Sequence, residues 1–186
     1  MDEMEAQQAI EFSDRELADA LRHAGDEDAF RLLYRRHTPR LLGFVVRLMG
    51  RAEAEAEDVV QETWIRVCDA LDRFRWESAF STWLLGIGLN VARDHMRRNA
   101  RSIELDMENL PDPPGPIDAP EDRIDLERSI ALLPDGYRMV LVLHDVEGMK
   151  HEDVAGQLGI TVGTSKSQLF KARQAIRTLL AESRRG

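Results

Sequence analysis

Apolar residues recur three or four positions apart along nearly the whole chain, and this spacing predicts helices throughout. Ser13-Asp-Arg-Glu16 fits a capping box that opens a short first helix. Ala29, Phe30, Leu33 and Tyr34 then begin an apolar stripe, which Leu41, Leu42, Val45, Val46 and Met49 continue. Pro39 is expected to bend or interrupt this element, and Gly50 suits its end. A further helix is expected over 53–71, burying Val59, Val60, Trp64, Val67 and Leu71. Another is expected over 80–98, with Trp83, Leu84, Ile87 and Val91 inward, and the polar and aromatic stretch 72–79 forms the loop between them. Later in the chain the same period gives helices over 121–133, 134–146, 151–158 and 162–180, with Pro134 placed at a first turn. No stretch alternates as a strand would, so the fold class is all-α.

Five of the seven prolines fall between Pro111 and Pro120. Proline removes a backbone donor and restricts the residue before it, so no long helix survives such a run. Residues 101–120 therefore read as an extended, semi-rigid linker between two small helical domains, 26–100 and 121–186, with 1–25 as an N-terminal extension carrying the short helix.

Charge changes this picture more than composition does. The net charge of −9 argues against nucleic acid only if it is spread evenly. It is not: acids crowd the first thirty residues, 53–62 and 104–135, while bases crowd 93–101 and 166–185. Two local basic patches in an acidic chain can meet phosphate, and the acidic remainder limits indiscriminate binding. Apolar runs stop well short of the roughly 20 residues a membrane span needs, and the N-terminus lacks a signal-peptide pattern, so a cytoplasmic protein without membrane insertion is expected. The single cysteine, Cys68, excludes an internal disulfide and is expected to be buried mid-helix. The five histidines are scattered and suggest no metal site. No nucleophile–base pair or phosphate-binding glycine loop appears, so neither an enzyme, a catalytic residue nor a cofactor is expected.

The sharpest local signal is the segment 151–173. Ala155 is small where two helices would cross, Gly159 can take the left-handed conformation of a sharp turn, and Thr161 can cap the next helix. Val154, Leu158, Ile160, Val162, Leu169 and Ala172 supply a shared interior. This is the pattern of a helix-turn-helix, whose second helix would expose Thr164, Ser165, Lys166, Ser167, Gln168 and Lys171 to phosphates and base edges in a major groove. An ordinary antiparallel helix pair with a solvated basic face is the competing reading, and Lys171, Arg173 and Arg177 on the same helix weigh against it.

Taken together, the two halves resemble the extracytoplasmic-function (ECF) sigma factors of the sigma-70 family. Glu57-Asp-Val-Val-Gln-Glu-Thr-Trp64 looks like the family's polymerase-docking helix, and Phe80-Ser-Thr-Trp-Leu84 with Asn90-Val-Ala-Arg-Asp-His-Met-Arg-Arg98 looks like its −10 reading element. Leu133-Pro134, Val142-Leu-His-Asp-Val-Glu-Gly148, Gly163-Thr-Ser-Lys-Ser167 and Ala172-Arg173 resemble its −35 reading domain.

The resemblance implies an initiation factor that binds core RNA polymerase, at the β′ clamp helices and the β flap, and promoter DNA. It implies that Asp58, Gln61 and Glu62 face polymerase. It places Arg75, Trp76, Ser78, Ala79, Phe80, Ser81, Asn90, Arg93 and Arg97 at the −10 element. His144, Thr164, Ser165, Lys166, Ser167, Gln168, Phe170, Lys171 and Arg173 would lie at the −35 element. An anti-sigma factor is the further partner implied. Core packing is the competing role for Phe80, and an unpartnered helix-surface amide for Asn90. Three departures from the family pattern stand out: Gly86 and Gly88 inside a helix, Ser165 and Gln168 on the expected recognition surface, and His151 in place of an aromatic. The alternative is a helix-turn-helix regulator that is not a polymerase subunit.

Overall fold

The computed structural model describes residues 12–50, 53–105 and 121–183, and within them every regular element is helical. Helix α1 (Asp14–Ala24) opens on the expected capping box: the Glu16 amide donates to Ser13 Oγ, and the Ser13 amide donates to the Glu16 carboxylate at 2.8 Å. Two amides that lack intrahelical acceptors are thereby satisfied. Leu17 and Ala18 bury its inner face against α2 (Glu27–Met49), the spine of the molecule.

Pro39 neither ends nor interrupts α2, which runs helical across it for 23 residues. That corrects the expectation of a break there. Leu33, Leu41, Phe44, Val45 and Leu48 are at most 1% exposed, so burial on both sides of the proline holds the helix together. A fully buried Leu or Phe contributes about 1.5–3 kcal/mol, comparable to the ~3 kcal/mol an interior proline costs.

Helices α3 (Glu53–Ala70) and α4 (Phe80–Leu105) both pack on α2. Trp64 is buried at this junction, its indole N–H donating to Thr38 Oγ1 at 3.0 Å and its ring edge-on to Phe30. Gly88, one of the two helix-interior glycines, is explained here. A Cβ at that position would lie 2.8 Å from Leu41 Cδ1, so the crossing of α4 over α2 leaves no room for a side chain. Gly86 meets no such demand; its Cβ would find only the Gln157 amide at 3.7 Å.

The second half comprises α5 (Glu121–Ala131), α6 (Asp135–Leu141) continued by a π-helical turn (Val142–Val146), α7 (His151–Leu158) and α8 (Val162–Ser183). Ile130, Leu133, Val140, Leu141, Val142, Val154, Leu169 and Ala172 form its core, which is continuous with that of the first half. Cys68 is exposed, not buried as its place in the helix pattern suggests. Of the expected linker, 101–105 is the end of α4 and 106–120 lies outside the described residues.

Candidate nucleic-acid interface

The turn between α7 and α8 is built as its residue types demand. Gly159 has φ +68°, and its N–H closes on the Ala155 carbonyl, ending α7 in the left-handed conformation. Two residues on, Thr161 Oγ1 accepts from the Thr164 amide at 3.0 Å and so caps α8. Helix α8 then divides lengthwise at 100° per residue. Ser165, Leu169, Ala172 and Ile176 face inward, while Gly163, Ser167, Phe170 and Gln174 run down the middle of the exposed half. Thr164 and Lys171 border that stripe on one side, and Lys166 and Arg173 on the other. A polar and apolar strip flanked by cations suits a groove between two phosphate backbones.

Two positions expected on this face lie elsewhere. Ser165 is completely buried, and its hydroxyl is 2.9 Å from His151 Nδ1. The His151 departure and the Ser165 departure are thus one feature, a polar bridge between α7 and α8. Gln168 is half-buried, its amide lying against Gly136 of α6. His144 is half-buried as well, its ring 4.2 Å from that of His151 and its Nδ1 3.0 Å from Asp145. Asp145 also accepts two hydrogen bonds from Arg173, which hold its carboxyl below the usual range. Burial, reinforced by the charges of His144 and Lys166, holds the His151 imidazole below its ordinary value. Phe170 is 70% exposed, a large apolar side chain on a surface otherwise hydroxylic and basic. Gln174 was missed in the sequence, although its place four residues beyond Phe170 puts it on the same stripe.

In the first half, the loop before α4 exposes Arg75, Ser78 and Ala79 and half-buries Trp76, and Ser81 in the first turn of α4 is half-buried. Trp76 holds φ +58°, a conformation unusual for a bulky residue. Its ring packs on Phe74 at 4.7 Å, and the Arg15 guanidinium lies 5.8 Å from the ring centre. Phe80 is 1% exposed and touches His37, Trp64 and Phe74. It is a core residue that shapes the loop from below, not an exposed aromatic surface. Trp83 is half-buried and stacks on Phe74 at 4.4 Å.

Asn90 and Arg97 are exposed on α4, and Arg93 between them is half-buried, its Nη1 donating to the Gln157 carbonyl of α7 at 3.0 Å. Arg97 pairs with Asp94, and Arg66 reaches both Asp94 and Glu62. Arg98 also reaches Glu62, whose carboxyl is held low chiefly by Arg66. On α3, Asp58 and Gln61 are exposed on one stripe with Glu62. Ile65 lies at its centre, 59% exposed, a position the i, i+3, i+4 spacing could have marked.

The chain carries two matches to family models, Sigma-70 region 2 over residues 33–102 and Sigma-70 region 4 over residues 123–176. The RNA polymerase sigma-H factor of Pseudomonas aeruginosa is 34% identical over 167 residues, covering 82% of this chain and 86% of the relative. The ECF RNA polymerase sigma-E factor of Haemophilus influenzae is 32% identical over 187 residues, covering 90% and 95%. Among solved structures, the sigma factor RpoE of Bartonella quintana, crystallised with the anti-sigma factor NepR, matches with a TM-score of 0.70 at 26% identity, covering 82% of this chain and 96% of that one. CnrH in complex with the cytosolic domain of CnrY matches with a TM-score of 0.59 at 32% identity, covering 91% and 97%. A helical chain with a helix-turn-helix, both sigma regions in order and relatives of this coverage belongs to the sigma-70 family and is an ECF-type RNA polymerase sigma factor.

Proposed function

We propose that this sigma factor docks on core polymerase through the α3 stripe of Asp58, Gln61, Glu62 and Ile65. It reads the −35 element with α8 and opens the −10 element with α4 and the loop before it. The observation that carries this reading is the lengthwise division of α8, which leaves Gly163, Ser167, Phe170 and Gln174 free to meet base edges between flanking cations.

In this reading Lys166 and Lys171 contact the two phosphate walls, and Phe170 offers an apolar surface to a thymine methyl. Ser165, His151 and Gln168 act indirectly, by fixing how α8 sits on α7 and α6. At the −10 side Arg75, Ser78 and Ala79 line the mouth of the loop. Extruding a base costs a few kcal/mol, and the half-buried Trp76 ring is the aromatic surface available to offset it by stacking. Asn90 offers both a donor and an acceptor to an exposed base. Arg97 tracks phosphate beside it, and Arg93 does so once it leaves Gln157.

Both named structural neighbours are complexes, RpoE with the anti-sigma factor NepR and CnrH with the cytosolic domain of CnrY, and an anti-sigma factor is a partner in this reading. No described helix is long and apolar enough to cross a membrane. A factor that works with polymerase on promoter DNA would act in the cytoplasm. The test is co-elution of the full chain with core polymerase of its own organism, with Asp58→Lys and Ile65→Glu as variants. A stoichiometric complex that both variants weaken supports the reading. A chain that binds promoter DNA and never core would instead be a helix-turn-helix regulator.

A further inference from the structure

Helix α1 reaches the loop that precedes α4, and one of its side chains lies over the loop's aromatic ring. The Arg15 guanidinium stands over the Trp76 indole, 5.8 Å from the ring centre. Arg15 is exposed, and among the described residues it has no ion pair. The carboxylates on either side of it in sequence are engaged elsewhere, Asp14 by Arg36 and Glu16 by the Ser13 capping box. Two contacts fix α1 in this place. Leu17 and Ala18 are buried on its inner face, and Arg22 in its last turn lies 3.6 Å from Asp72, in the 3-10 turn (Leu71–Arg73) that leads into the loop.

The ring itself is held for this arrangement. A φ of +58° is a conformation that a bulky residue keeps only when its surroundings impose it. Buried Phe74 and Phe80 supply those surroundings, their rings 4.7 and 6.4 Å from that of Trp76. An exposed cation on an aromatic ring contributes less than a stacked nucleobase does. A base entering the loop can therefore displace the guanidinium. The base brings a phosphate with it, and that phosphate is the counter-charge Arg15 lacks.

We propose that Arg15 is part of the −10 site: it covers the Trp76 ring until an unstacked base arrives, and then binds a phosphate of the captured strand. Helix α1 thereby supplies a wall of a site otherwise built from the loop and α4. This role falls on a segment outside both family-model matches, the first of which begins at residue 33. It rests on the base-capturing role proposed above for the loop.

The test uses the full chain assembled with core polymerase. It measures affinity for a single-stranded oligonucleotide carrying the non-template −10 strand of a mapped promoter, at several salt concentrations. Arg15→Gln is expected to weaken binding about tenfold, the loss of one hydrogen-bonded charge contact. It should also make the logarithmic salt dependence shallower by about 0.7, the value for one phosphate of a single strand. Arg15→Lys should keep the wild-type slope. Replacing one linkage beside the captured base by an uncharged methylphosphonate should weaken wild type to the same degree and Arg15→Gln no further. Unchanged affinity and slope in Arg15→Gln overturn the proposal. So does a loss that no methylphosphonate position absorbs, because Arg15 would then only brace the loop. Trp76→Ala tests the underlying reading separately. If it binds like wild type, base stacking on Trp76 is contradicted, and the methylphosphonate result still decides whether Arg15 holds the strand.

Discussion

Arg173 and Asp145, 28 residues apart in the chain, are joined by two hydrogen bonds, 2.8 Å from Nε and 2.6 Å from Nη2. The pair ties α8 to the π-helical turn, and it also occupies a cation on the edge of the proposed DNA-reading face. Removing the charge at 145 frees that cation for phosphate. Asp145→Asn is expected to tighten binding to −35 DNA at low salt and to steepen the logarithmic salt dependence by about one. Titrations at several salt concentrations measure both; an unchanged slope would show that Arg173 serves only to brace the fold.

Lys171 borders the same face and has the opposite expectation. Lys171→Ala should weaken binding to all −35 sequences alike and make the salt slope shallower by about one. Phe170→Ala should instead cost about 1 kcal/mol, the value of one buried methyl group, on promoters with a thymine at the contacted step and little elsewhere. Competition binding with a set of single-base −35 variants separates the two behaviours.

The two helix-interior glycines should respond in opposite directions. Gly86→Ala adds helix propensity with no clash and is expected to stabilise the protein by about 0.8–1 kcal/mol. Gly88→Ala would drive a methyl into the fully buried Leu41 and is expected to destabilise it, since overpacking costs about 1–3 kcal/mol and outweighs the propensity gain. Denaturant melts of both variants decide this, and equal shifts would contradict the close crossing of α2 and α4.

These pairs mark where sequence was informative and where it was not. The capping box at Ser13, the Gly159 turn and the Thr161 cap are local chemistry, so residue type and spacing sufficed for each. Pro39 does not interrupt α2, because tertiary burial overrides a local helix-breaking preference. Cys68 lies inside a strongly helical pattern, but the period alone did not fix which side of α3 would be covered. Ser165 and His151 each looked like a departure from the family, and only their 2.9 Å contact shows that one accounts for the other. Arg138 gave no signal at all. A single arginine in an apolar helix, it is buried and donates to the Leu48 and Met49 carbonyls, 90 and 89 residues earlier in the chain.

The His151–Ser165 bridge carries a pH dependence. Its imidazole titrates below its ordinary value in the folded chain, so the folded state binds that proton less readily than the unfolded one. The resulting stability is present above about pH 6.5, the unfolded value, and is lost as pH falls through the folded value. Melting wild type and His151→Gln between pH 7.5 and 5 should show the wild type losing more stability. Parallel curves would mean that His151 titrates normally.

Transcription reconstituted from core polymerase, this chain and a promoter mapped by its 5′ transcript ends tests the central claim most directly. The account predicts a single start site that appears only when the chain is added. It further predicts that Lys171→Ala, or altering the −35 element, lowers promoter capture, whereas Asn90→Ala, or altering the −10 element, lowers strand opening after capture. Transcripts that are the same with and without the chain, given a competent core from its own organism, would contradict it.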